Sequence, residues 1–212
     1  GAVLHGEIYI HSKLMIIDDK IIVIGSANIN DRSMLGRRDS ETALIIRDQR
    51  MISSKMNGEQ YQAGVHAHNL RLRLWMEHLG YLEDDCCGLV HKSELQSSTE
   101  RRQLAESIQD PVHFDTFRAI WRKTSQTNTE AFSRAFSDFP SNRIQSLEEL
   151  RERLRVREEG VSDDMSVRQA TQDTLSTLKG HLVDYPVKFL CNSDLTPPLA
   201  SAENLLPSFI FL

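Results

Sequence analysis

The stretch IYIHSKLMIIDDKIIVIGSANIN, residues 8–30, decides how the chain reads. It is mostly apolar and β-branched, the composition of packed strands. Yet His11 and Lys13 stand inside it, two residues apart, and it closes on Gly25-Ser26-x-Asn28. Successive strand side chains point to opposite faces, so residues i and i+2 share a face about 6.7 Å apart. A strand running through residue 11 to residue 17 projects His11 and Lys13 together and sends Ile10, Ser12 and Leu14 the other way. A lysine ammonium in an apolar strand needs an anion. A histidine beside it serves as nucleophile or as general acid and base near neutral pH. An imidazole next to an ammonium, with no carboxylate fixed beside them, suits a phosphodiester. The lysine neutralises non-bridging oxygens while the histidine works on phosphorus or on the leaving oxygen.

The turn that follows fits the same chemistry. Gly25 lets the backbone approach closely, and Ser26 and Asn28 supply hydrogen-bond donors for a phosphate. Asp18 lies at the hairpin turn, where a carboxylate ties down backbone N–H groups, a structural role. Glu41, at the start of the next strand, is placed to orient an imidazole, and the sequence leaves open whose. A lone His-x-Lys is most often a solvated strand edge, and a lone Gly-Ser-x-Asn is a turn. Here His11, Lys13, Asp18, Gly25, Ser26 and Asn28 stand together at fixed spacings around two apolar runs, which points to a phosphate site.

The rest of the chain sets limits. Its 212 residues bury one domain, or one and an appendage. The hydrophobic share of 40% and charged share of 26% are those of a globular protein. A net charge of −5, from 25 Lys and Arg against 30 Asp and Glu, argues against a sequence-independent nucleic-acid binder. Cys86, Cys87 and Cys191 show no metal-type spacing and read as reduced cytosolic thiols. No apolar run reaches the length of a membrane span, so membrane contact is expected to be peripheral. The chain opens at Gly1 and reads as a strand within a few residues, as a carboxy-terminal piece of a longer protein would.

Along the chain, strands are expected within 7–17, over 21–25 and over 41–48, with a turn at 18–20 and a polar loop over 26–40. Residues 58–80 carry a helical stripe of Ala63, Ala67, Leu70, Leu74 and Leu79, with His66 and His68 read as a solvated flank. Residues 82–103 lack a period and read as a linker. Pro111 is placed at a helix start, with Phe114, Phe117, Ile120 and Trp121 on one side. Ser146 and Glu149 have capping-box spacing. Residues 157–167 read as a flexible acidic stretch. A last helix, QATQDTLSTLKGHLV, stops before Pro186.

The pattern H-x-K-x4-D-x6-G-S-x-N, met by His11, Lys13, Asp18, Gly25, Ser26 and Asn28, resembles the signature of the phospholipase D superfamily. The longer block IYIHSKLMIIDD and IIVIGSANINDRSMLGRRDSE resembles the second catalytic motif of eukaryotic phosphatidylcholine-hydrolysing phospholipase D. The resemblance implies an α/β fold of two similar halves, of which this chain holds one, a mixed sheet flanked by helices with a mainly helical carboxy-terminal extension. On that basis residues 1–82 form the second-motif half, 83–109 a linker or insertion, and 110–212 a helical region packed on the catalytic domain. It also implies a phosphohistidine route in which the first motif's histidine is the nucleophile and His11 the general acid and base. Lys13, Ser26 and Asn28 then hold the phosphoryl oxygens, with no metal or other cofactor. The implied partners are a phospholipid substrate at a membrane surface and an upstream half carrying the first motif, with no nucleic acid. The implied location is cytoplasmic and peripherally membrane-associated. The ending SFIFL departs from the family's usual terminus.

Two other readings stand beside this one. A single-motif phosphodiesterase or nuclease would complete its site by dimerising. A non-catalytic interaction module on the same fold would retain the architecture without turnover.

Overall fold

β1 (Lys13–Ile17) and β2 (Ile21–Gly25) form an antiparallel hairpin in which Lys13 faces Gly25 and Ile17 faces Ile21. The computed structural model describes residues 10–81, 98–136, 139–160 and 165–196. Between the strands the Lys20 amide donates to the Ile17 carbonyl at 2.9 Å, and Asp18 and Asp19 both take φ of 49°. Positive φ at both central positions is what the tight primed turns of hairpins use, and aspartate tolerates it better than most residues. β3 (Ala43–Arg47) pairs with β2, giving the order β1-β2-β3.

Two expectations change here. The strand starts at Lys13, so His11 precedes it, and strand alternation does not set the direction of the imidazole. The sheet is also not buried. Leu14, Ile24 and Leu44 form one row across one face, with Ile16, Ile22 and Ile46 in the next, while Met15, Val23 and Ile45 cross the other face. Of the residues of β1, β2 and β3 only Ile22 is buried, and Leu44 and Ile45 are 63% and 64% exposed. The described residues lay no complete second layer on either face.

A second sheet was not expected. β4 (Met51–Met56) and β5 (Glu59–Gly64) pair antiparallel across Asn57-Gly58, with φ of 54° and 81°. MISSKM and EQYQAG are too polar to look like strands, and the Asn-Gly turn between them is the local signal. Helix therefore begins at α2 (Val65–His78) rather than near residue 58, and Ala63 belongs to β5. Asp48 Oδ2 accepts the His66 and Ala67 amides at 3.0 and 2.9 Å and so caps α2 from the end of β3. Gly64 is needed at this junction, because a Cβ there would lie 2.5 Å from the Asp48 side chain.

The segment expected as a linker contains α3 (Ser98–Ser107). Leu104 and the following Ile108 are buried against Leu79, with Leu72, Trp75 and Met76 packed around them. The charged sequence TERRQLAES shows too few apolar residues to reveal a helical stripe. Residues 82–97, including Cys86 and Cys87, lie outside the described part, as do 1–9 and the apolar tail.

Pro111 sits in a turn rather than at a helix start, and helix resumes at residue 114. Asp110 organises that turn. Its Oδ1 accepts the Val112 and His113 amides at 3.2 and 3.1 Å, and its two oxygens also take the Asn57 and Gly58 amides at 2.9 and 2.7 Å. The π-helical stretch Thr116–Arg122 leads into α4 (Lys123–Ala135). Its wider turn spoils the 3.6-residue phase, so Phe114 and Phe117 face outward while Trp121 meets Trp75 at 4.7 Å between ring centroids. α5 (Leu147–Gly160) opens on the expected capping box: the Glu149 amide donates to Ser146 Oγ at 3.2 Å, and Glu149 Oε2 accepts the Ser146 amide at 3.3 Å. α5 runs through to residue 160 and α6 (Met165–Leu175) starts soon after, so helix occupies most of the stretch read as flexible, with 161–164 outside the described part. Asn128 holds the chain after α6, donating to the Lys179 and Leu182 carbonyls at 2.8 Å each.

Candidate active site

Lys13 begins β1 opposite Gly25, the last residue of β2, so Lys13 and Ser26 stand at the same end of the sheet. The Lys13 ammonium folds back to the His11 carbonyl at 2.7 Å, which holds the His11 backbone beside the lysine. The His11 side chain is solvent-facing.

Ser26 links this end to β3. Its amide donates to the Thr42 carbonyl at 2.9 Å, its Oγ accepts the Thr42 amide at 3.0 Å, and its hydroxyl donates to Glu41 Oε2 at 2.5 Å. The other Glu41 oxygen accepts from Ser33 Oγ, also at 2.5 Å. Serine hydroxyls thus occupy both oxygens of the carboxylate expected to orient an imidazole. The Ser26 bond, then the Ser33 bond, with a smaller part from the Lys13 charge, hold the Glu41 carboxyl below its ordinary value against a slight opposing effect of burial. Ser33 was not singled out from the sequence. It is fixed by α1 (Asp31–Met34), where Asn30 Oδ1 caps its amide at 3.0 Å, and its Oγ also accepts the Asn28 amide at 3.0 Å. The spacing Asn30-x-x-Ser33 is the helix-start signal that marks it. The Asn28 side chain faces solvent.

At Gly25 the close backbone approach is that of the chain entering β3: a Cβ there would stand 2.3 Å from the Thr42 carbonyl oxygen. Asp18 is not brought to Lys13, since it lies at the far end of β1. It is exposed, and its carboxylate takes no hydrogen bond among the described residues, so its structural part is the left-handed turn conformation and not side-chain capping.

The buried carboxylate is the next residue. Asp19 is 4% exposed and meets His68 Nδ1 at 2.7 Å, Arg71 Nε at 2.9 Å and Arg71 Nη2 at 2.7 Å. Because a carboxylate only accepts, His68 carries its proton on Nδ1. His68 is 2% exposed, which corrects its reading as a solvated residue, whereas the side chain of His66 is 65% exposed. Burial pushes the Asp19 carboxyl up, but the hydrogen bonds and charges of His68 and Arg71 outweigh it and hold the group below its ordinary value.

Lys13 places a cation at this end of the sheet, the charge an oxyanion such as a phosphoryl group needs, while the Ser26 hydroxyl and the Asn28 amide donate to Glu41 and Ser33. Among the described residues no group of three or more His, Cys, Asp or Glu could hold a metal ion, and no helix is long and apolar enough to cross a membrane.

The sequence model for phospholipase D matches residues 4–113. Phospholipase D zeta 1 of Arabidopsis thaliana is 36% identical over 220 residues, covering 96% of this chain and 18% of that protein. Phospholipase D1 of Homo sapiens is 36% identical over 200 residues, 94% of this chain and 16% of the relative. Phospholipase D2 of Bos taurus is 39% identical over 216 residues, 98% of this chain and 21% of the relative. The chain thus spans about a fifth of the length of the curated relatives it matches. From its family match and the signature residues gathered along β1 and β2, the chain belongs to the phospholipase D family of phosphodiesterases.

Proposed function

We propose that this chain is the second-motif half of a phospholipase D centre acting on phosphatidylcholine-type phospholipids, releasing phosphatidic acid and the free head group. The observation that carries the reading is the placement of Lys13 and of Ser26, with Glu41 bound to it, at one end of the β1-β2-β3 sheet. The nucleophile is the histidine of an upstream motif. Its ring nitrogen bonds to phosphorus as the bond from phosphorus to the head-group oxygen breaks, and His11 delivers a proton to that oxygen. His11 then takes a proton from water, whose oxygen attacks phosphorus and breaks the phosphorus–nitrogen bond. Lys13 and the Asn28 side chain neutralise and hold the non-bridging oxygens throughout, while Ser26 stays bound to Glu41 and fixes this end of the sheet. A primary alcohol in place of water gives the phosphatidylalcohol. The setting we propose is the cytoplasmic surface of a membrane, peripherally bound.

The exposed aliphatic rows on both sheet faces suit packing by the upstream half, so that the two motifs meet. A second copy of the chain would cover the same rows in the dimeric alternative, and the presence of a single motif here favours that reading to the same degree. Alignment over nearly the whole chain to single, much longer relatives favours the first. The test is incubation of the full-length protein with phosphatidylcholine and a primary alcohol. Phosphatidylalcohol is expected alongside phosphatidate, and phosphatidate alone would count against the covalent route.

A further inference from the structure

The tightest buried charge cluster of the described chain lies at the opposite end of β1 from the candidate site. Asp19 binds His68 and Arg71, and Arg71 continues to the Ile108 carbonyl at 2.6 Å and the Gln109 carbonyl at 2.9 Å. The same turn is held on its other sides. The Asp19 carbonyl accepts the Gly64 amide at 2.7 Å, the Asp18 carbonyl accepts the Tyr61 hydroxyl at 2.8 Å, and the Lys20 ammonium lies 4.1 Å from the centroid of the Tyr61 ring. The β1–β2 hairpin therefore touches a fixed frame at its turn, while its open end, where Lys13 sits, is tied through β2 to the chain entering β3, by Ser26 to Thr42 and Glu41.

We propose that Asp19, His68 and Arg71 form a positioning strut that sets the pitch of the β1–β2 hairpin and so places Lys13 and His11 for phosphoryl transfer; this rests on the reading of the site given above. Lys13 stands four residues from the end of β1, about 13 Å at ~3.3 Å per residue. A pivot of about 5° at the turn moves it by about 1 Å, and a misplacement of that size costs on the order of 10²-fold in rate. Burial alone does not explain the cluster. An apolar pair of the same volume would fill the space, and buried ion pairs add little net stability over such a pair. What the charges supply is direction. The planar guanidinium fixes the carboxylate on one side and two backbone carbonyls on the other, so the turn is locked to the residues just before Asp110. Asp110 in turn clamps the Asn57-Gly58 hairpin, whose other strand carries Tyr61 and ends at Gly64.

The test compares His68→Leu with His68→Asn in the full-length protein. Asparagine returns an N–H donor near the position of Nδ1, and leucine fills the space without one. Leucine is expected to lower kcat by ten- to a hundredfold with KM within twofold, and asparagine to recover kcat to within about threefold of the unsubstituted protein. Arg71→Lys keeps the charge but not the fork, and is expected to resemble leucine. Equal kcat in the leucine and unsubstituted proteins would overturn the strut, as would equal impairment of the leucine and asparagine variants. Amide deuterium uptake across residues 13–25 gives a reading independent of turnover. It should rise in the leucine variant and not in the asparagine variant, and unchanged uptake in both would also overturn it. If the unsubstituted protein turns over no phospholipid, the family chemistry fails while the exchange comparison still decides the strut.

Discussion

The Ser26 hydroxyl donates to Glu41 across 2.5 Å and joins the end of β2 to the start of β3 beside Lys13. A carboxylate held this way stays charged and keeps both serines turned toward it. Glu41→Gln removes the charge that orders Ser26 and Ser33, and Ser26→Ala removes one of its two donors. Both are expected to lower turnover in the full-length protein by ten- to a hundredfold while shifting the thermal midpoint little, since Ser26 is exposed and Glu41 only half-buried. Steady-state kinetics with a calorimetric scan of each variant checks this.

His11→Asn and Lys13→Ala are expected to be the most damaging changes at the site. General acid–base assistance contributes about 10²–10⁴-fold, and losing a cation at a developing oxyanion costs about as much. The two differ in a second measurement. With a phosphodiester whose leaving group departs without a proton, His11→Asn should regain much of its rate and Lys13→Ala should not. A His11 variant that keeps near-normal turnover with a poor leaving group would remove that residue from the general-acid role.

How far the sequence could be read depended on whether a contact was local. The β1–β2 hairpin and the Ser146–Glu149 capping box were legible, because each is set by residues close together in the chain. β4 and β5 were not, because their strands lack apolar alternation and are held by a turn docked on Asp110, more than fifty residues away. The site showed the same division. Motif spacing brought Lys13 and Ser26 to one end of the sheet, but not the partners of Glu41, whose oxygens take the Ser26 and Ser33 hydroxyls and not an imidazole. Ser33 was hidden because its role depends on a short helix folding back, and His68 because a histidine on a mixed helix face gives no sign of a buried partner such as Asp19.

Acid should loosen the protein through Asp19 and Asp110. Burial pushes both carboxyls up, and stronger hydrogen bonding brings both net below the ordinary value of 3.8: His68 and Arg71 for Asp19, the Gly58, Asn57, Val112 and His113 amides for Asp110. The unfolded chain therefore takes up protons first as pH falls. The stabilisation is fully present above about pH 5 and is lost as pH drops through 3.8 toward the lower folded values. Thermal midpoints between pH 7 and pH 3 should fall at the acid end, and fall less steeply in Asp110→Asn. An unchanged slope in that variant would show that this carboxylate does not contribute.

Two glycines are expected to resist substitution for different reasons. Gly25→Ala drives a Cβ into the Thr42 carbonyl and should weaken β2–β3 pairing, with turnover falling because Ser26 moves with it. Gly58→Ala meets no neighbour but must hold φ of 81°, which costs roughly 1–2 kcal/mol of stability and should leave turnover intact. Denaturant midpoints and initial rates separate the two.

The most direct test of a shared, two-motif centre is reconstitution. Residues 1–212 are expressed alone and together with the upstream segment of the same protein, and phosphatidylcholine turnover is measured at matched concentration. The chain alone should be inactive and self-associating, given its exposed apolar sheet, and co-expression should restore both turnover and alcohol transfer. Robust phospholipid hydrolysis by the isolated chain, at a concentration where it is monomeric, would contradict the two-motif centre and require a second nucleophile within these residues.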